Sequence, residues 1–289
     1  MINNRSSVGI VAECMCDLPK KVLANYDIDI LYFLIETETG VFTDTDEITA
    51  ENIISYMENG GKKTRSSPPS QDVYKKIFEK KLKKYDEVIL VTISSAISPS
   101  YEYAKKAAAL VDGAADKIHI FDSGHLSSGL GFLVMHAAEL ADKGYTAEKI
   151  IPQLEDLKGR ISTTFMTKNA DYLYRNELVP KIMKTVCTMF NLHPILKMKN
   201  GHITLKSFTM GNYDYACRKY IRRELKNNYS INTKRGFITH VGCSIKTLRS
   251  ITAEIKKYHC FDELDIVSAS ATISSNCGPG TFGILFINN

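Results

Sequence analysis

The stretch Glu87-Val-Ile-Leu-Val-Thr-Ile93 constrains the fold more than any other part of the sequence. It is apolar without alternation, as a strand buried on both faces must be, and such strands belong to parallel sheets covered by helices. A buried strand is read over residues 7–12 (Ser-Val-Gly-Ile-Val-Ala), and further strands are predicted over 28–36 and 117–121 (Lys-Ile-His-Ile-Phe). After 87–93 come a Ser-rich turn and a helix from Pro99 through Ala107–Ala109. After 117–121 come a Ser/Gly turn and a long helix from about Leu126 to Asp142. Strand, turn and helix in repetition predict a doubly wound α/β layer over the first half of the chain.

Other elements follow from spacing. Thr49 is an N-cap for a helix to about Glu58, stopped by Gly60-Gly61. A helix after the Ser66-Ser67-Pro68-Pro69-Ser70 turn carries Val73, Ile77, Phe78 and Leu82 on one face. A further helix is predicted over 146–157. Beyond Gly159 the rhythm changes. Short strands at 161–166, 193–198, 202–208, 235–240, 264–270 and 281–287 alternate with helices at 213–226 and 244–257. At 289 residues the chain is long enough for two domains. We expect an N-terminal α/β domain over 1–157 and a C-terminal α+β domain over 158–289.

Composition narrows the class of function. The chain is 44% hydrophobic and 24% charged, as folded globular proteins are. A net charge of +5 spread over this length argues against a nucleic-acid footprint. Seven cysteines, an odd number in a long chain, argue against a disulfide framework and for a reducing compartment. No leader is visible at the N-terminus, and the most apolar stretch, 129–141, is too short to span a bilayer, so a cytoplasmic protein is expected. The Cys14-Met15-Cys16 pair has no partner pair at zinc spacing, and Asp44-Thr45-Asp46-Glu47 lacks the glycine and distal glutamate of a calcium loop. No metal or cofactor is expected, and Asp44–Glu47 is read as a solvated loop.

Ligands of open α/β sheets bind at the carboxyl ends of strands. Three such ends carry hydroxyls and glycines: Ser94–Tyr101, Asp122–Gly129, and Ser274–Gly280 before the last strand. Ser98 before Pro99 suits an N-cap and first helical position. A helix start there offers free backbone N–H groups to an anion. Ser98 either caps its own helix or also holds a ligand, since one hydroxyl can accept from the helix and donate outward. Cys277 in its glycine-rich turn is either a small packed residue or a nucleophile with His240 as base. That second reading would make the chain a hydrolytic or acyl-transfer enzyme. A phosphorylated metabolite at Ser94–Ser100 is a weaker reading, because the turn has no basic residue.

Taken in order, these turns resemble the DegV family of bacterial fatty-acid-binding proteins. Ala12-Glu13-Cys14-Met15-Cys16-Asp17-Leu18 is similar to the family's Thr-Asp-Ser-x-x-Asp-Leu. Ser66-Ser67-Pro68-Pro69-Ser70 is similar to Thr-Ser-x-Pro-Ser, and Ile93-Ser94-Ser95-Ala96-Ile97-Ser98-Pro99-Ser100-Tyr101 to Ile-Ser-Ser-x-Leu-Ser-Gly-Thr-Tyr. Asp122-Ser123 with Gly129-Leu130-Gly131 matches a further block. Asn276-Cys277-Gly278-Pro279-Gly280-Thr281-Phe282-Gly283 is similar to His-Thr-Gly-Pro-Gly-Ala-x-Gly.

The resemblance implies a lipid-binding carrier rather than an enzyme, with one long-chain fatty acid enclosed between two domains. It places the carboxylate on Ser66 and Ser98, with Ser95, Ser100 and Asn276 nearby. It also implies a fatty-acid kinase that phosphorylates the bound acid for phospholipid metabolism. Two hydroxyls and a helix start can satisfy a carboxylate without a buried cation. The tail would supply most of the affinity: at ~0.8 kcal/mol per buried CH₂, a chain of about sixteen carbons gains on the order of 10 kcal/mol before binding costs. Phe165, Met166, Met183 and Ile195 are expected to line an apolar tunnel. The chain departs from the family pattern at Pro99 (for glycine), at Asn276 (for histidine), and at Leu178, where a surface arginine for kinase docking is expected. Acyl binding is therefore the firmer expectation, and kinase delivery rests on fewer residues.

Overall fold

In a computed structural model, residues 7–289 are described, apart from 115, 178 and 227. The chain divides into two compact units, and neither is one continuous stretch. The first comprises the residues up to Leu34, Ser66–Arg160 and Asn200–His202; the second comprises Ile35–Arg65, Ile161–Lys199 and Ile203–Asn289. The expected division of 1–157 from 158–289 therefore misassigns residues 35–65. They carry β3 (Leu34–Thr37), β4 (Gly40–Thr43) and α2 (Ala50–Glu58). On α2, Ile53, Ile54 and Met57 are buried against Val241, Ala269 and Ala271, over 180 positions further along the chain. Periodicity along a sequence carries no record of such a partner.

The first unit is built on a four-stranded parallel sheet in the order β2-β1-β6-β7. Its strands are β1 (Val8–Glu13), β2 (Asp29–Leu31), β6 (Glu87–Thr92) and β7 (Ile118–Asp122). Both neighbours of β6 are parallel to it, and Val88–Val91 are wholly buried, which is why its sequence shows no alternation. The predicted strand 28–36 splits: β2 joins the parallel sheet, and β3 belongs to a small sheet of order β4-β3-β5, with β5 at Arg65–Ser67.

Helices α3 (Gln71–Leu82) and α4 (Ser100–Ala108) share one apolar cluster, with Tyr74 and Phe78 packed alongside Ala104 and Ala107. α5 (Ser127–Asp142) is almost entirely buried, and α6 (Ala147–Arg160) packs against it. Gly131 on α5 allows a close approach: a Cβ there would lie 2.6 Å from the Cys16 carbonyl oxygen. A single 3-10 turn, Cys14–Cys16, follows β1, and the short α1 (Lys20–Asn25) leads to β2.

The second unit holds a six-stranded mixed sheet, order β10-β9-β8-β13-β11-β12. Its strands are β8 (Ile161–Met166), β9 (Leu192–Lys199), β10 (His202–Met210), β11 (Ile231–His240), β12 (Glu263–Ser268) and β13 (Phe282–Asn288). The helices α9 (Tyr213–Leu225) and α10 (Ile245–Lys256) cover one face, where Tyr220, Ile221 and Ile251 pack on Phe282 and Ile284. Three further helices were not foreseen: α7 (Asp171–Arg175), α8 (Lys181–Met189) and α11 (Ala271–Cys277). Among the described residues no helix is long and apolar enough to cross a membrane.

Candidate functional site

In the first unit each helix returns against the parallel strands, so α3, α4 and α5 all begin at the carboxyl edge of the sheet. That connectivity gathers three turns at one edge: Pro68–Ser70 before α3, Ser94–Pro99 before α4, and Ser123–Leu126 before α5. The turn before α4 is closed by hydrogen bonds from the Ile97 and Ser98 N–H groups to the Ser94 carbonyl. α4 starts at Ser100, one residue later than Pro99, and the Ser98 hydroxyl accepts from the Ser100 N–H at 3.3 Å. The N-cap is therefore Pro99 and not the expected Ser98, whose hydroxyl serves the turn just before the helix and whose own proton has no acceptor among the described residues. Ser66 stands exposed in β5, and its hydroxyl makes no hydrogen bond with another described residue.

The neighbouring serines are committed. The Ser95 hydroxyl donates to the Asp122 carboxylate at 2.5 Å, and the Ser95 N–H reaches the same group at 3.0 Å. Asp122 also takes the Gly124 N–H at 2.9 Å, tying the α4 and α5 turns together. The Ser94 hydroxyl donates to the Gly201 carbonyl at 2.7 Å. Ser100 is fully buried and donates to Glu13 at 3.3 Å. Ser95 and Ser100 are therefore supports of the turn. Their protons are spent on carboxylates of the protein, which corrects their placement among the ligand contacts.

Sequence reasoning passed over Glu13. It ends the fully buried β1 and has no exposed surface. Its carboxylate accepts from the Ile93 N–H at 2.8 Å, the Tyr74 hydroxyl at 2.9 Å and Ser100. Burial pushes its pKa up to about 7; the three hydrogen bonds oppose the rise, and nearby Asp122 adds to it. The signal was present: an acidic residue closing an apolar strand must be given donors or neutralised. Asp17, four residues on, has φ 45° and accepts from Ser127, itself at φ 56°, at 2.6 Å. Two residues held in the left-handed region by each other mark the turn before α5 as tightly specified.

In the second unit the expected tail-lining residues divide. Successive strand residues point to opposite faces. Phe165 on β8 packs with Leu196 and Leu173 in a small cluster, whereas Met166 and Ile195 sit in the helix-covered core with Tyr220. Met183 is half-buried on α8, whose Ile182 and Met189 are exposed. The four do not share one surface, so Met166 and Ile195 are core residues.

Ser274–Cys277 lie in α11, not in a turn; the turn is confined to Gly278–Gly280. Asn276 spends an amide proton on the Thr272 carbonyl of its own helix at 2.8 Å. Asp44 is wholly buried and accepts the Ala271 and Thr272 N–H groups at 2.8 and 3.0 Å, so the solvated-loop reading fails at this residue. Cys277 packs against two apolar clusters. His240 Nδ1 is buried with no hydrogen-bond partner among the described residues, and burial lowers the pKa of the ring. A base awaiting a nucleophile's proton needs an orienting partner. Cys14 and Cys16 are buried, and the Cys16 thiol is pushed up to about 12 by burial, with Asp17 adding to it. Leu178 lies outside the described residues.

Fold and site together define an α/β protein of two units whose parallel sheet presents hydroxyl-bearing helix starts at its carboxyl edge. The chain belongs to the DegV family: the family model, described as uncharacterised protein of the DegV family, matches residues 7–289. A DegV domain-containing protein from Caldanaerobacter subterraneus subsp. tengcongensis is 24% identical over 287 residues, 96% of this chain and 98% of that one. Among solved structures, a DegV family protein from Thermus thermophilus, described by its fatty acid binding, aligns with a TM-score of 0.86 at 22% identity. That alignment covers 98% of this chain and all of the other. The Streptococcus pneumoniae Fatty Acid Kinase (Fak) B3 protein, loaded with linoleic acid, aligns with a TM-score of 0.84 at 19% identity over 98% and 100% of the two chains. At these identities the likeness to the solved structures is one of fold.

Proposed function

We propose that the chain is a carrier, not an enzyme, that binds a long-chain fatty acid by its carboxylate at Ser66 and Ser98. The observation that carries this reading is the pair of hydroxyl protons without an acceptor among the described residues, one in β5 on the way into α3 and one in the turn before α4. A carboxylate there accepts two hydroxyl protons beside the positive end of α4 and needs no buried cation. Of the proteins that share the fold, the Thermus one is described by its fatty acid binding and the pneumococcal one as loaded with linoleic acid. We extend the reading to presentation of the acid to a fatty-acid kinase, on the name that the pneumococcal protein carries. Seven free thiols suit a reducing cytoplasm.

Denaturing extraction of the purified protein followed by mass spectrometry should release a long-chain acid. Recovery of none, together with no binding of added palmitate or oleate, would defeat the proposal. Ser66→Ala with Ser98→Ala should weaken acid binding at least about tenfold, since hydrogen bonds to a charged group contribute ~1.5–3 kcal/mol each. Circular dichroism should show the double variant folded. Unchanged affinity would remove these two serines from the site.

A further inference from the structure

We propose that Glu13 is the positioning residue of the α4 turn, and that an acid bound at Ser98 draws one proton from solvent onto it. The inference rests on the carrier reading above. Glu13 lies two hydrogen bonds from Ser98: its carboxylate takes the Ser100 hydroxyl, and the Ser100 N–H is held by the Ser98 oxygen. The same carboxylate takes the Ile93 N–H, so it fixes both ends of the turn that presents Ser98.

Among the described residues, the groups that interact most strongly with Glu13 carry no positive charge, and the Lys158 ammonium is held on the Asp122 carbonyl. They are Tyr74 from α3, Ser100 from α4, the Ile93 N–H after β6, Cys14 and Cys16 after β1, and Asp122 at the end of β7. Asp17 is spent on Ser127. A ligand carboxylate at Ser98 brings a second negative charge to a site where one is already unfavourable. Like charges at such range are relieved when one of them takes a proton. Glu13 can do so without losing its partners. Oε2 keeps the Ile93 N–H, while a proton on Oε1 faces the Tyr74 hydroxyl, which rotates to accept it. With its ordinary value already raised to about 7 by burial, Glu13 titrates where the binding measurement is made.

The test is titration calorimetry with laurate, a soluble stand-in for the longer acids, in two buffers of different ionisation enthalpy. Wild-type protein should take up a fraction of a proton per laurate between pH 7 and 8. Its affinity should fall about three- to tenfold from pH 6.5 to 8.5, within the tenfold per pH unit that one coupled proton allows. Glu13→Gln should bind at both pH values as wild type does at pH 6.5, with no proton exchange beyond that of laurate itself. Tyr74→Phe removes a bond that favours the ionised form and should move the wild-type midpoint to higher pH; with the wild-type proton count it decides the matter even if Glu13→Gln does not fold. Equal heats in the two buffers, or a Glu13→Gln profile that follows the wild type, would overturn the coupling. Laurate bound by none of the proteins at any pH would instead overturn the carrier reading, and the coupling with it.

Discussion

Glu13 holds its proton more tightly in the folded chain than in the unfolded one, because burial raises its pKa from 4.5 to about 7. Between those values the folded state carries more protons than the unfolded state. The stability that this residue confers is therefore fully present below about pH 4.5 and lost as pH rises through 7. The loss is on the order of 3 kcal/mol at 1.36 kcal/mol per unit. Thermal unfolding of the ligand-free protein between pH 5 and 8 should show this decline in wild type and lack it in Glu13→Gln. An identical slope in both would show that another group sets it. Ser98 drew notice from local chemistry, because a hydroxyl before a proline suits a helix start, whereas Ser66 was reached only through the family resemblance. The roles of Ser95 and Ser100 were not legible, since the acceptor that takes each proton lies 27 and 87 positions away. Which hydroxyl remains free for a ligand is a tertiary fact.

At the scale of the element, strands buried on both faces announced themselves: β1 and β6 lie where their apolar runs predicted, and β7 lies where a shorter strand was expected. α11 did not announce itself. Its sequence is rich in serine, with glycine and proline following, and these residues read as a turn because their side chains compete for the backbone. Its start is held from two sides: the Ser270 hydroxyl accepts the Ile273 N–H, and Asp44 accepts the two N–H groups before it. Its end is set by Gly278 at φ 77°, where a Cβ would lie 2.1 Å from the Tyr172 ring. Asp44→Ala would strand two buried donors and should cost about 2–4 kcal/mol, with Asp44→Asn intermediate. Urea unfolding of both variants measures this, and a loss under about 0.5 kcal/mol, the scatter of surface changes, would show that Asp44 is no cap.

At the scale of the whole molecule the fold class was legible and the division of the chain was not. Alternating strands and helices predict a parallel layer wherever they occur. Nothing local shows that residues 35–65 leave the first unit and fold with residues beyond 161. A fragment of residues 161–289 lacks Ile53, Ile54 and Met57, the apolar side that α2 supplies to Val241, Ala269 and Ala271, and it lacks Asp44. Made alone, it should show no cooperative thermal transition by circular dichroism. Joining residues 35–65 to it through a flexible linker should restore one. A sharp transition in the bare fragment would contradict this account of its core.

The same excursion sets a schedule for synthesis. Residues 35–65 leave the ribosome well before Val241, Ala269 and Ala271, which bury α2 and follow it by over 180 positions. At roughly 5–20 residues per second the apolar face of α2 waits on the order of ten seconds or more for its partner. The first unit can close its parallel sheet during that interval, with β6 and β7 already translated. A nascent chain stalled late in translation would thus carry a finished sheet and an uncovered helix, a species on which chaperones have a surface to hold.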